Sequence, residues 1–128
     1  MAYTHVKNFS AETPSGPITT QRSYSASGHA AIAEAIADGQ TAFLINIAID
    51  VSTVKSIIIN CDQNITIKTN SSGSPDDTLA IEANKQYDWD EDSLHALKLT
   101  VDVTKIYVAN ASGAAANLLI DVIQDATP

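Results

Sequence analysis

The densest run of reactive side chains in this sequence is DWDED, residues 88–92. Asp88, Asp90 and Asp92 fall at every second position, as the first ligands of an EF-hand loop do. A hard cation such as Ca2+ takes six to eight oxygens, so clustered carboxylates are the right kind of group for it. The rest of that loop is missing: its sixth position is Ser93 where glycine is needed, and its twelfth is Leu99 where glutamate is needed. On a strand, the three aspartates would share one face and Trp89 would lie on the other. The cluster therefore reads as a weak Ca2+ candidate set against a plain solvated acidic turn. Asp76 and Asp77 are acids that could lie nearby.

The remaining candidates are thinner. His5, His29 and His95 have no zinc-ligand spacing. A Ser-His-Asp triad is a spatial arrangement, so a single sequence leaves it open. There is no GxSxG elbow, no glycine-rich phosphate loop and no CxxC pair. Cys61 is the single cysteine and ends the apolar run SIIINC, which reads as burial; no intramolecular disulfide is possible. Tyr87 and Trp89 stand at i and i+2, so a strand puts both rings on one face. They suit a core or subunit contact, or alternatively a sugar platform. No catalytic residue and no cofactor is assigned, and the expectation is a protein that is not an enzyme.

Composition sets the frame for these residues. A chain of 128 residues fits one domain. With 45% hydrophobic and 17% charged residues it carries enough apolar side chains for a core, and a low enough charge fraction to argue against disorder. The net charge of −8, with no cluster of Lys or Arg, argues against a nucleic-acid partner. No window approaches the roughly 18 apolar residues of a membrane span. The start, MAYTHVKNFS, lacks the apolar stretch of a signal peptide, which points to synthesis in a cytoplasm.

The elements that would position these groups are strands. In residues 41–50, Phe43, Ile45, Ile47 and Ile49 alternate with Leu44, Asn46, Ala48 and Asp50, a period of two. Val54–Cys61 contains Ile57, Ile58 and Ile59 in succession, as a strand buried on both faces would. Further strands are predicted over 18–26, 65–69, 78–83, 85–89, 97–103, 106–109 and 118–123. The alanine-rich stretch 30–38 fits a helix or a strand; Asp38-Gly39, a hairpin signal, follows at once, and the strand is preferred because everything after it is β. NSSGSPDD, residues 70–77, is the longest breaker cluster. Eight to ten short strands with frequent turns predict an all-β, jelly-roll-like antiparallel β-sandwich. Residues 1–17, with Pro14, Gly16, Pro17 and little periodicity, read as an extended N-terminal arm ahead of a single sandwich domain over 18–128.

Two stretches carry a family likeness. KSIIINCDQNITIKTNSSGSPDDTLAIEANKQYDW and TKIYVANASGAAANLLIDVIQD resemble small virion proteins of tailed bacteriophages, over roughly residues 30–125. The resemblance implies a β-sandwich module, often trimeric, that decorates or cements a capsid, with some relatives placed in tails. It transfers no catalytic residue. The expectation is thus a capsid decoration protein on the outside of the major capsid protein shell, made in the host cytoplasm and forming a homo-oligomer. Its arm, with Tyr3, Val6, Phe9, Pro14 and Pro17, would contact the shell. The alternatives are a tail or baseplate component, and a carbohydrate-binding module resting on Tyr87 and Trp89.

Overall fold

The period-two runs become strands, and their apolar faces turn toward one another. A computed structural model describes residues 2–125. Met1, the first residue of the expected arm, and residues 126–128 lie outside the described residues. The strands are β1 (Tyr3–Thr13), β2 (Gly16–Ala26), β3 (Gly28–Ile36), β4 (Phe43–Ile49), β5 (Val54–Cys61), β6 (Ile65–Thr69), β7 (Thr78–Ile81), β8 (Tyr87–Asp90), β9 (Val103–Ala109) and β10 (Ala116–Gln124).

Two four-stranded antiparallel sheets, ordered β3-β10-β5-β8 and β4-β9-β6-β7, form a sandwich. Their inner faces supply one core. Ile32, Ile36, Ile57, Ile59, Cys61, Leu118, Ile120 and Val122 come from the first sheet. Ile47, Ile49, Ile65, Ile67, Leu79, Ile81, Val103, Ile106 and Val108 come from the second. Most of these side chains are β-branched, the type that packs best on a pleated surface. The chain changes sheet at every connection from β3 onward except β6 to β7, which pair directly. The chain thus runs back and forth between the two layers of the sandwich.

The turn phrases of the sequence act as fasteners. Asn110 is fully buried and uses its whole amide: Nδ2 donates to the carbonyls of Ile36 and Ala114, while Oδ1 accepts from Ser112 N–H and Oγ–H. Asn70, at φ 66°, donates to Asp76 and to the Asp102 carbonyl and accepts from Thr104 N–H. Asp77 accepts from Thr100 N–H and Oγ1–H. The PDD and NASG turns thus tie loops to neighbouring strands.

Several expectations change. Residues 30–36 lie within a strand, as preferred, but Asp38-Gly39 does not close a hairpin. It carries the chain from one sheet to the other, and Gly39 N–H bonds the Asn110 carbonyl at 2.8 Å. Residues 97–102 are not a strand: Trp89 Nε1 donates to the His95 carbonyl at 3.0 Å, Lys98 N–H to the Tyr87 hydroxyl at 3.0 Å and Thr100 N–H to Asp77. These anchors hold the segment in a loop. The expected boundary between arm and domain, after Pro17, falls inside β2. β1 and β2 pair in full register from Tyr3↔Ala26 to Thr13↔Gly16, so residues 3–26 are one long two-stranded ribbon. Gly16 at φ 117° supplies a left-handed backbone at the turn.

Candidate functional site

The ribbon crosses the outer face of the sheet β3-β10-β5-β8, strand by strand. The Tyr3 ring stacks on His29 of β3, with centroids 4.9 Å apart. His5 lies between Asp121 of β10 and Ser56 of β5, at 2.7 and 2.8 Å. Lys7 reaches Asp88 and Asp90 of β8. Four residues of strand cover about 13 Å and three strand spacings about 14 Å, so the crossing is close to perpendicular. Tyr24, Ala26 and Ile123 form a small separate core beneath the ribbon.

Asp90 is the centre of the charged half of this seam, fully buried on β8. Its Oδ2 accepts from Lys7 Nζ at 3.0 Å and Arg22 Nη2 at 2.9 Å, and its Oδ1 from Asp92 N–H at 2.9 Å. Lys7 also donates to Asp88 Oδ1 and to the Trp89 carbonyl. The Tyr24 hydroxyl donates to Asp92 at 3.0 Å. Burial pushes the Asp90 carboxyl upward, but hydrogen bonds from Lys7, Tyr24 and Asp92 outweigh it and bring the pKa down to about 2. Burial together with the acidic neighbours raises the Tyr24 phenol, and Asp90 above all raises the Arg22 guanidinium.

This geometry revises the calcium reading. Asp88, Asp90 and Asp92 do come together on one side of β8, yet Asp90 is a buried strand residue and not part of a solvated turn. The positive charge beside these carboxylates is supplied by Lys7 and Arg22 of the ribbon. Among the described residues, no group of three or more His, Cys, Asp or Glu side chains is arranged to hold a metal.

A Ser-His-Asp chain does form, from Ser56, His5 and Asp121. The Asp121 carboxylate accepts from His5 Nε2–H, which leaves Nδ1 of a neutral imidazole to accept from Ser56 Oγ–H. His29 Nε2 donates to both oxygens of the same carboxylate at 3.0 Å. Burial raises the Asp121 carboxyl, but the two imidazoles more than offset it, and it lies below the ordinary carboxylate range. The arrangement is ill-suited to acyl transfer. A triad base takes the serine proton at Nε2 and holds aspartate at Nδ1, the reverse of this order. Ser56 has no exposed surface. It also lies between two paired strands, opposite Ile123 and Asp90, where backbone N–H groups are committed to the ladders and not to an oxyanion. The chain of bonds is a clasp that seats the ribbon.

Beyond Lys7 the ribbon passes the edge strand β8 and overhangs it. From Phe9 to Thr13 it continues for about 13 Å. Phe9 and Ile18 face the same side as the seated Lys7 and Arg22, but past the sheet edge they find nothing to cover them: they are 60% and 52% exposed. Val6, on the opposite ribbon face, is 52% exposed. Beneath the overhang is an open cleft of about 610 Å³ lined by residues including Phe9, Thr20, Arg22, Ile58, Gln86 and Asp88.

The expected contact residues are therefore distributed along one ribbon. Phe9 and Val6 border the cleft, Pro14 and Pro17 shape the tip, and Tyr3 lies at the far end against His29. Tyr87 and Trp89 pack their rings against the sandwich core and anchor the loop that follows, so they form no open platform. The sequence singles out none of Lys7, Arg22, Tyr24, Ser56 and Asp121, and it offers His5 only as an unsupported zinc ligand. One signal was there: Tyr3, His5 and Lys7 alternate with Thr4 and Val6, a strand pattern written in polar and aromatic residues. Compared with family models, curated proteins and solved structures, the chain matches none.

Proposed function

We propose that this protein is a non-enzymatic virion structural protein, a decoration (cement) protein that binds the outside of a major capsid protein shell and stabilises it. The observation that carries this reading is the overhanging ribbon. A stiff sandwich holds a preformed projection by buried ion pairs, and the projection presents Phe9 and Ile18 uncovered. An ordered projection has already lost its backbone entropy, roughly 1–2 kcal/mol per residue, before it meets a partner. Contact with a rigid shell then gains from burial of the two apolar side chains. The closed Ser56-His5-Asp121 chain and the rings of Tyr87 and Trp89 turned to the core favour this over a hydrolytic or sugar-binding role.

The test is co-sedimentation with shells that lack the protein. Wild type should bind saturably. A variant in which residues 9–20 are replaced by Asn-Gly, joining the paired residues Asn8 and Gln21 through a two-residue turn, should fold and fail to bind. Equal binding by the shortened ribbon would remove the overhang from the mechanism. Absence of wild-type binding to shells, with recovery of the protein in isolated tails, would make it a tail component.

A further inference from the structure

Fifteen acids outnumber seven bases in this chain, yet the outward face of the sheet β4-β9-β6-β7 carries the opposite charge. Core-facing and outward side chains alternate along its strands. On the outward side Leu44 of β4 pairs with Tyr107 of β9, and Tyr107 with Lys68 of β6. Lys105 stands two residues before Tyr107 on the same side, opposite Asn46. The remaining outward strand positions hold asparagine, alanine and threonine, and none holds an acid. Among the described residues Lys7, Arg22, Lys55 and Lys85 are paired with carboxylates, whereas Lys68 and Lys105 are not. The exposed Leu44 and the half-buried Tyr107 thus lie beside two ammonium groups without a counter-charge. The loop that follows β8 has the complementary character. It reads EDSLHA, residues 91–96, with Glu91 and Asp92 exposed and Leu94 fully exposed. Glu91 pairs with Lys55 and Asp92 accepts from the Tyr24 hydroxyl, which leaves the loop net negative. Its shape is fixed from both sides. Ser93 N–H donates to the Asp90 carbonyl and Ser93 Oγ accepts from Asp90 N–H, both at 3.0 Å, and the Trp89 indole donates to the His95 carbonyl. A leucine held out on an ordered loop has little conformational entropy left to lose when it meets a partner.

We infer that the outward face of β4-β9-β6-β7 receives the loop 91–96 of a second copy of this chain, with Leu94 on Leu44 and Tyr107, and Glu91 and Asp92 beside Lys68 and Lys105. Charge selects the occupant. The face fits an acidic segment with an apolar tip, and the chain itself carries one. The two do not meet within one chain, because the loop is pinned at the β8 edge of the other sheet. Face against face would set lysines against lysines, and loop against loop would set acids against acids, so the like-with-like pairing of a two-fold dimer is disfavoured. The contact is head-to-tail: each copy gives a loop and receives one, which makes a ring where the rotation closes. It does not depend on the shell reading, since it is measured without a shell.

The experiment is sedimentation equilibrium on the full chain, on L94S and on K68E/K105E. Wild type should assemble beyond the 13.5 kDa chain mass. L94S removes the apolar tip of the loop and K68E/K105E reverses the charge of the face, and each should weaken assembly about tenfold or more. Both variants change outward side chains, so thermal melts of the dilute proteins should match wild type, which separates loss of contact from loss of fold. Mixing the two variants is the decisive arm. L94S keeps an intact face and K68E/K105E an intact loop, so together they should form a one-to-one pair of twice the chain mass at concentrations where each alone is monomeric. A contact made by like surfaces gives no such rescue. A wild type that stays monomeric at high concentration, assembly that neither variant weakens, or a mixture no more associated than its two components would each overturn the inference.

Discussion

At the scale of single residues, Asp90 and Lys7 bind the ribbon to the sandwich. Asp90 is fully buried and Lys7 nearly so, with 11% of its side chain exposed. Removing one partner of a buried pair leaves an uncompensated charge, at a cost of about 3–5 kcal/mol. Lys7→Ala should lose about that much in urea unfolding, with Arg22 holding the result toward the lower end. Acid should act on the same group. The carboxyl titrates near 2 in the folded protein and near 3.9 unfolded. Its contribution is complete above the unfolded value and is lost as pH falls from about 4 to 2, on the order of 2 kcal/mol in all. Asp121, also lowered, adds loss in the same direction. Unfolding curves between pH 5 and 2 should show this slope. Asp90→Asn should flatten it while lowering stability at neutral pH.

At the scale of elements, the ribbon depends on its seat. An isolated two-stranded hairpin is marginal in water, so β1 and β2 stay ordered because Tyr24 and Ala26 pack on Ile123 and the clasp holds His5. Tyr24→Ala removes the largest of these contacts and should cost about 3 kcal/mol. Hydrogen exchange should quicken across residues 3–26 while β5 and β10 stay protected; uniform protection would mean that the ribbon is held by its ion pairs alone. The sandwich strands were legible because Phe43 to Ile49 declares its buried face by apolar period and Val54 to Cys61 declares its burial by a continuous β-branched run. Of the ribbon, β2 was legible from its alternation over 18–26, but β1 was not, because its seated face is Tyr, His and Lys and not an apolar stripe. Asp38-Gly39 misled for a related reason: a turn signal marks a reversal but not which sheet receives the next strand. The seam was beyond reach for a different reason. His5 meets Asp121 across 116 residues, and only the folded sheet order brings them together.

At the scale of the whole molecule, the ribbon lies across the outer face of one sheet and overhangs its β8 edge. The three-fold arrangement implied by the resemblance would need a head-to-tail contact. The ribbon itself has two parts with different duties, and truncation separates them. Deleting residues 1–17 takes away β1, and with it His5 and Lys7. β2 is left without its hairpin partner, and Asp90 keeps Arg22 as its one cationic partner. That deletion should lower stability by several kcal/mol. Replacing residues 9–20 by Asn-Gly keeps the seated residues His5, Lys7, Arg22 and Tyr24, and removes exposed side chains such as Phe9 and Ile18. Its unfolding free energy should stay within about 1 kcal/mol of wild type, as expected for changes away from buried groups. Paired urea titrations of the two truncations check this. If the shortened ribbon is as destabilised as the deletion, the overhang belongs to the fold and is not a free contact surface. If the deletion is as stable as wild type, the seam is not what holds the first sheet's outer face.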